Sequence, residues 1–422
     1  MSNPLFFSSL LILLSLSLSL SPSLGASDLK VYGLSSPFSP TKGMWEKNVG
    51  EISAKDDARL IYLGSLVARK SNVPIASGRQ IIQSATYVVR VTVGTPPQTM
   101  LMAMDTSSDT AWMPCDGCVG CSANVFVSAN SNTYKSYGCD APQCKQVTNP
   151  SCAAGVCSFN LTYGGSTVAA NLSQDTIILA KDPIVNYSFG CLQRVTGNSV
   201  PPQGIIGLGR GPTSLLSQSQ SLYQSTFSYC LPNFKSLSFS GSLRLGPVAQ
   251  PKKIKYTPLL KNPRRSSLYY VNLIGISVGR KLVDIPPSAL AFNPTTGSGT
   301  IFDSGTVFTR LVAPAYNAVR DEFRNRFKNA TVSSLGGFDT CYTVPILGPT
   351  MTFHFTGMNV TLPLDNMLIH STSGSLTCLA MAAAPDNVNS VLNVIANMQQ
   401  MNHRVLFDVP NSRLGISREV CT

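Results

Sequence analysis

The chain has 422 residues and a net charge of +12, with only 12% of its residues charged. This length exceeds what one hydrophobic core usually fills and predicts two domains plus processing segments; 32 glycines and 28 prolines predict short strands joined by turns, an all-β chain. The basic residues are scattered and no basic patch is interleaved with aromatics, which argues against a nucleic-acid partner and leaves a solvated surface with weak attraction to anionic extracellular polysaccharide.

In chain order, an apolar, Ser-rich run from Leu5 to about Leu20 leads to Pro22 and the small residues Ser23, Gly25 and Ala26, which reads as a signal peptide over residues 1–25. The run is too short and too serine-interrupted for a membrane span, and no later stretch is long enough. The expectation is a soluble, secreted monomer with no membrane contact once the signal is removed. Residues 26–75 differ from the rest: EISAKDDARLIYLGSLVARK reads as a helix with Ile52, Leu60, Leu63 and Leu66 as apolar positions, and a helical basic segment between a signal and a β-rich body reads as a propeptide. From Thr86 onward the pattern becomes β-branched runs broken by Gly and Pro, as in TYVVRVTVGTPPQ. One packing helix is expected at about Pro314 to Lys328, with Tyr316, Val319, Phe323 and Phe327 on one face.

The twelve cysteines, an even number in a chain that reads as secreted, predict disulfides. Cys115, Cys118 and Cys121 have CxxCxxC spacing, but the histidines, His354, His370 and His403, are remote, so no metal and no other cofactor is expected. Asn160, Asn171, Asn186, Asn329 and Asn359 head N-glycosylation tripeptides.

The two halves echo one another. Tyr87-Val88 leads through Val93-Gly94 to LMAM and Asp105-Thr106-Ser107; Tyr270-Val271 leads through Val278-Gly279 to TIF and Asp303-Ser304-Gly305. Each acid is followed much later by a hydrophobic pair and a small residue, Gly207 in GIIGLG and Ala396 in NVIANM. Such repetition predicts duplicated lobes, at 86–255 and 256–422, joined through a basic segment around Pro251 to Arg265, with the acids facing each other. Two carboxylates a few ångströms apart cannot both ionise easily; the ionised one can deprotonate a water while the protonated one polarises a peptide carbonyl. Thr106 and Ser304 place hydroxyls beside the acids, where they can bond across to the opposite loop, and Ser108 and Thr306 repeat the theme three positions after each acid.

Taken together, MDTSSDTAWMPC, IFDSGT, GIIGLGRG, LTYGGST, FSYCL and VLFDVPNSRLGIS resemble the pepsin family of aspartic proteases, in particular the plant nepenthesin-like group, from about Tyr87 to the C-terminus. The resemblance implies a bilobal β fold with a cleft, a secreted (apoplast or cell-wall) endopeptidase acting on extended polypeptides, and Asp105 and Asp303 as its catalytic pair. It also implies a flap carrying Tyr163 and Gly164, with Trp112 steadying the tyrosine. A cysteine-rich insertion is implied from Cys115 to Cys157, as are the disulfides Cys341–Cys378 and Cys230–Cys421. A propeptide lysine, one of Lys30, Lys47, Lys55 and Lys70, is expected to occupy the cleft and neutralise the pair, with acid-triggered maturation. The chain departs from the family at Ser107, where glycine is usual, at Ala396, also usually glycine, and at Ala169-Ala170 in the flap. Were residue 107 to need positive φ, its Cβ would cost on the order of 1 kcal/mol. The alternative is a binding protein of the same fold, an inhibitor of microbial glycoside hydrolases; intact acids, hydroxyl neighbours and Tyr163 favour the enzyme.

Overall fold

The computed structural model describes residues 27–33, 45–67 and 86–421, apart from 123, 180–181, 234–240, 248–249, 252, 344–345, 372–374 and 388–389. The expected signal peptide and Lys70 lie outside the described residues, and the side chains of Lys30 and Lys47 are likewise undescribed.

Strands dominate, in two lobes backed by a shared antiparallel sheet. Along that sheet, Ser27–Gly33 pairs with Gly241–Leu245, which pairs with Thr226–Cys230; His403–Asp408, Arg413–Arg418 and Lys255–Leu260 follow. A strand from the N-terminal segment thus lies between the sheet joining the lobes and Tyr87–Val93, paired with both. The segment expected to join the lobes contributes Lys255–Leu260, which pairs on into the second lobe with Tyr270–Val271.

The echo in sequence is an echo in topology. In the first lobe Gln98–Asp105 runs parallel to Ile205–Gly207, bringing Gly207 opposite Asp105. In the second, Gly299–Phe302 runs parallel to Leu392–Ile395, with Phe302 opposite Ile395. Each parallel partner also bridges a strand following the acid, Ile205 to Trp112 and Val394 to Arg310. Both acids therefore leave the C-terminal ends of buried strands. Side chains around them pack on both faces, as the near-continuous apolar runs LMAM and TIF require.

The long helix α1, Trp45–Val67, lies in the groove between the lobes. Val49 and Ile52 enter the main core, whereas Leu60 and Leu63 pack with Leu268, Tyr270, Ile301 and Val394 of the second lobe. The second-lobe helix spans Ala313–Arg324 with Pro314 in its first turn, and a 3-10 turn, Asn325–Phe327, continues it. Tyr316, Val319 and Phe323 are buried, as the sequence predicts, because positions three and four apart share a face.

Six disulfides join all twelve cysteines: Cys115–Cys191, Cys118–Cys121, Cys139–Cys152, Cys144–Cys157, Cys230–Cys421 and Cys341–Cys378. Cys341 and Cys378 sit opposite one another on paired strands. Cys230–Cys421 ties the shared sheet to the last residues described. The CxxCxxC sulfurs are all consumed in disulfides, one of them reaching beyond the insertion to Cys191. Of the glycosylation acceptors, Asn160, Asn186, Asn329 and Asn359 are exposed and Asn171 is half-buried.

Candidate active site

Asp105 and Asp303 meet at the base of the cleft, both fully buried. Their loops lock together reciprocally. Thr106 N–H donates to Ser304 Oγ (3.1 Å) and Ser304 N–H to Thr106 Oγ1 (3.0 Å). Each hydroxyl then donates to a carbonyl of the opposite lobe, Thr106 to Phe302 (3.3 Å) and Ser304 to Met104 (2.9 Å). Four hydrogen bonds satisfy six buried polar atoms this way, and the separation of the acids is fixed by hydrogen bonds rather than by packing alone.

Local donors hold each carboxylate. Asp105 Oδ1 accepts from Ser107 N–H (2.9 Å) and Ser107 Oγ (2.8 Å), and Oδ2 from Ser108 Oγ (2.8 Å). Asp303 Oδ1 accepts from Gly305 N–H (2.9 Å) and Oδ2 from Thr306 Oγ1 (2.6 Å). The hydroxyls three residues after each acid therefore reach their own carboxylates.

Arg59 of α1 bridges the pair. Its Nη2 donates to Asp105 Oδ1 (2.7 Å) and lies 3.4 Å from Asp303 Oδ1; its Nε donates to Asp303 Oδ2 (3.0 Å), and Nη2 also donates to Ser107 Oγ. The planar fork of a guanidinium suits two carboxylates at once, which a lysine ammonium does not. This corrects the expectation of a lysine in the cleft: Lys55 lies one turn earlier on α1 at the edge of the site, where burial lowers its pKa to about 8. Burial opposes the charge of Arg59, but Asp105 and then Asp303 more than offset it and hold the group protonated. Burial also works to raise the Asp105 carboxyl; Arg59, then the Ser107 N–H and the Ser108 and Ser107 hydroxyls, outweigh it and hold the group below its usual range.

Further contacts seat the helix. Asp56 accepts from the N–H groups of Val307 (2.9 Å) and Phe308 (2.6 Å), just past the second acid's loop. Burial pushes Asp56 up to about 7. Asp57 pairs with Arg310 at 2.9 Å, and Arg310 also donates to the Ser53 carbonyl and hydroxyl. Only about 30 Å³ of cavity remains among Ile52, Asp56, Arg59, Tyr163 and Val307.

The hairpin of Val156–Tyr163 and Ser166–Leu179 closes over the site through a tight turn at Gly164, where φ is +56°. Tyr163 meets Trp112 edge to face at 5.2 Å, and its ring stacks on the Arg59 guanidinium at 4.8 Å. Burial raises the Tyr163 pKa far up, so its hydroxyl stays a donor.

The departures from the family pattern are accommodated. Ser107 lies outside the left-handed region, so no backbone strain arises there, and its hydroxyl serves both Asp105 and Arg59. Ala396 is extended (φ −87°), whereas at Gly207 a Cβ would fall 1.9 Å from the Asp109 carbonyl oxygen, so only the first lobe demands glycine. Ala169-Ala170 lie opposite a bulge at Gln193 of the neighbouring strand Asp182–Thr196.

Residues that the sequence reading missed complete the site. Gln400 donates to the Asp303 carbonyl (3.3 Å) and receives the Tyr229 hydroxyl; Asn397 donates to the Ser304 carbonyl (3.0 Å). Asp109 accepts from Gly211 N–H (2.8 Å) and from Ser267. Arg59 itself was legible in principle: it is seven residues from Ile52 and four before Leu63, on the buried stripe of α1.

Comparison with known proteins fits this geometry. A family model described as "Xylanase inhibitor N-terminal" matches residues 87–247, and one described as "Xylanase inhibitor C-terminal" matches 268–418. Aspartyl protease AED3 of Arabidopsis thaliana is 51% identical over 94% of this chain and 92% of its own length. The chain belongs to the plant aspartyl protease family. Within that family, Aspartyl protease 25 of Oryza sativa is 45% identical over 93% of this chain and 94% of its own. Aspartic proteinase nepenthesin-1 of Nepenthes gracilis is 33% identical over 79% of this chain and 78% of its own, which makes this an atypical pepsin-like member. The solved structure of edgp superposes with a TM-score of 0.65, at 21% identity over 84% of this chain and 97% of that one. Basic 7S globulin from soybean gives 0.63, at 20% identity over 79% and 93%. At those identities the likeness establishes the pepsin-like bilobal fold.

Proposed function

We propose that the protein is a secreted aspartic endopeptidase, held latent in the form described here by its own propeptide helix. The observation that carries this is the placement of Arg59 Nη2 on the inner oxygens of both Asp105 and Asp303, the position a water must occupy to be activated by one carboxylate and oriented by the other. Once α1 leaves, one carboxyl of the buried pair takes a proton while the other stays charged, because two like charges this close cannot both persist. The ionised carboxylate removes a proton from water as its oxygen attacks the peptide carbonyl carbon. The protonated one donates to the carbonyl oxygen, and collapse of the tetrahedral species expels the amine. The groove that α1 fills would take an extended polypeptide, and the flap with Tyr163 would close over it to exclude water. Asp105 also sets the direction of activation. A carboxylate held low by Arg59 favours docking at neutral pH and stops doing so as pH falls through that lowered value, so acid releases the helix.

A second reading, an inhibitor of glycoside hydrolases, is favoured only by the description of the matching family models. One experiment separates the two: acid-treated protein is given denatured casein and, separately, a microbial xylanase. Fragments from casein, with the xylanase left active, support the protease. Intact casein with stoichiometric loss of xylanase activity supports the inhibitor.

A further inference from the structure

The environments of the two acids are unequal. Asp105 has three local donors, two of them on Oδ1, because Ser107 supplies both its N–H and its hydroxyl. Asp303 has two. The residue matching Ser107 in the second loop is Gly305, and no side chain fits there: a Cβ would lie 2.9 Å from Asp105 Oδ1 and 2.5 Å from Arg59 Nη2. The extra hydroxyl is therefore confined to one side of a nearly two-fold arrangement. With α1 in place Ser107 is 8% exposed.

We infer that Ser107 is a positioning residue that places the negative charge of the free dyad on Asp105 and leaves the shared proton on Asp303. This rests on the protease reading above. A hydroxyl that donates to Oδ1 favours the charged carboxylate over the neutral acid, and after α1 departs it is the one donor from the acids' own loops that Asp105 has and Asp303 lacks, the flap Tyr163 hydroxyl adding to the same side. The same hydroxyl accepts from Arg59 while donating to Asp105, so it also links the docked helix to the acid that must be ionised for docking. The charged and titratable groups facing Asp105 are Arg59 from α1, Asp303 from the opposite loop, Tyr163 from the flap and Asp109 farther along its own loop. Once Arg59 is neutralised, none of these is a cation, which leaves the hydrogen-bond asymmetry to decide where the proton resides.

The test uses the full chain with Arg59→Gln after acid activation has displaced α1, labelled with ¹³C at aspartate carboxyls and titrated by NMR, the dyad signals being assigned by Asp105→Asn and Asp303→Asn. Added Ser107→Gly or Ser107→Ala should raise the Asp105 midpoint by about one pH unit, a tenfold change in proton affinity. The acid limb of kcat/KM for a quenched peptide should move the same way. Midpoints unchanged in both variants, with Asp105→Asn inactive, overturn the role of Ser107 and leave the dyad standing. Full hydrolysis by Asp105→Asn removes the protease reading itself.

Discussion

Replacing Arg59 with glutamine tests the proposal that α1 keeps the protein latent. Glutamine keeps the helix propensity and one donor but loses the charge that sits 2.7 Å from Asp105 and 3.0 Å from Asp303. Removing one partner of a buried ion pair costs about 3–5 kcal/mol. The two carboxylates left behind can share a proton, which recovers part of that loss, so about 3 kcal/mol is the working figure. Ile52, Leu60, Leu63, Asp56 and Asp57 keep their contacts, and α1 stays docked most of the time. The population with an open cleft should then rise ~100-fold, since each 1.4 kcal/mol is a factor of about ten. The assay is the initial rate at which the full chain cleaves an internally quenched peptide at pH 5.5, before any change in its own size on a gel. Arg59→Gln should exceed the wild type by about that factor, and Arg59→Lys, with no fork to span both acids, should fall between. Equal rates for all three would refute the view that Arg59 is the latch.

Other outcomes follow from the same contacts. Asp56 has its pKa raised to about 7 by burial, so the docked helix takes up a proton that the free helix, with an ordinary value of about 4, does not hold between those limits. Its contribution to docking is therefore full below about 4 and is lost as pH rises through 7; Asp56→Asn should make peptide access to the cleft less dependent on pH between 6 and 8, and an unchanged dependence would refute this. Thr106→Val keeps the shape but strands the Ser304 N–H in a fully buried place, which should cost about 1–3 kcal/mol in urea unfolding, and no change in the midpoint would mean that the interlocked loops are not load-sharing.

How much of this was readable in the chain depends on whether the determinant was local. Asp105 and Asp303 could be found because duplication places each after a buried strand with hydroxyls at fixed offsets, and the structure returns those hydroxyls to the acids. The bridging by Thr106 and Ser304 was likewise written in their position. The second-lobe helix followed from apolar spacing, though it begins one residue earlier than expected and its last turn tightens to 3-10. The choice of Arg59 over a lysine was harder, since it turns on which face of α1 meets the cleft and on the reach of a forked side chain across two lobes. Gln400 and Asn397 were hidden because a buried amide carries no signature until the backbone carbonyls it serves are folded beside it. The condition under which Ser107 would be strained is not met, which only the folded backbone could show: the chain there turns without entering positive φ, and the added hydroxyl gained a partner.

The most direct measurement of the central claim is the turnover of a quenched peptide by acid-activated protein, with wild type and Asp303→Asn side by side. Loss of one member of the pair removes general acid–base assistance to both water and carbonyl, so kcat should fall by at least ~10²–10⁴ with the fold intact by circular dichroism. Equal turnover in the two proteins would contradict the account.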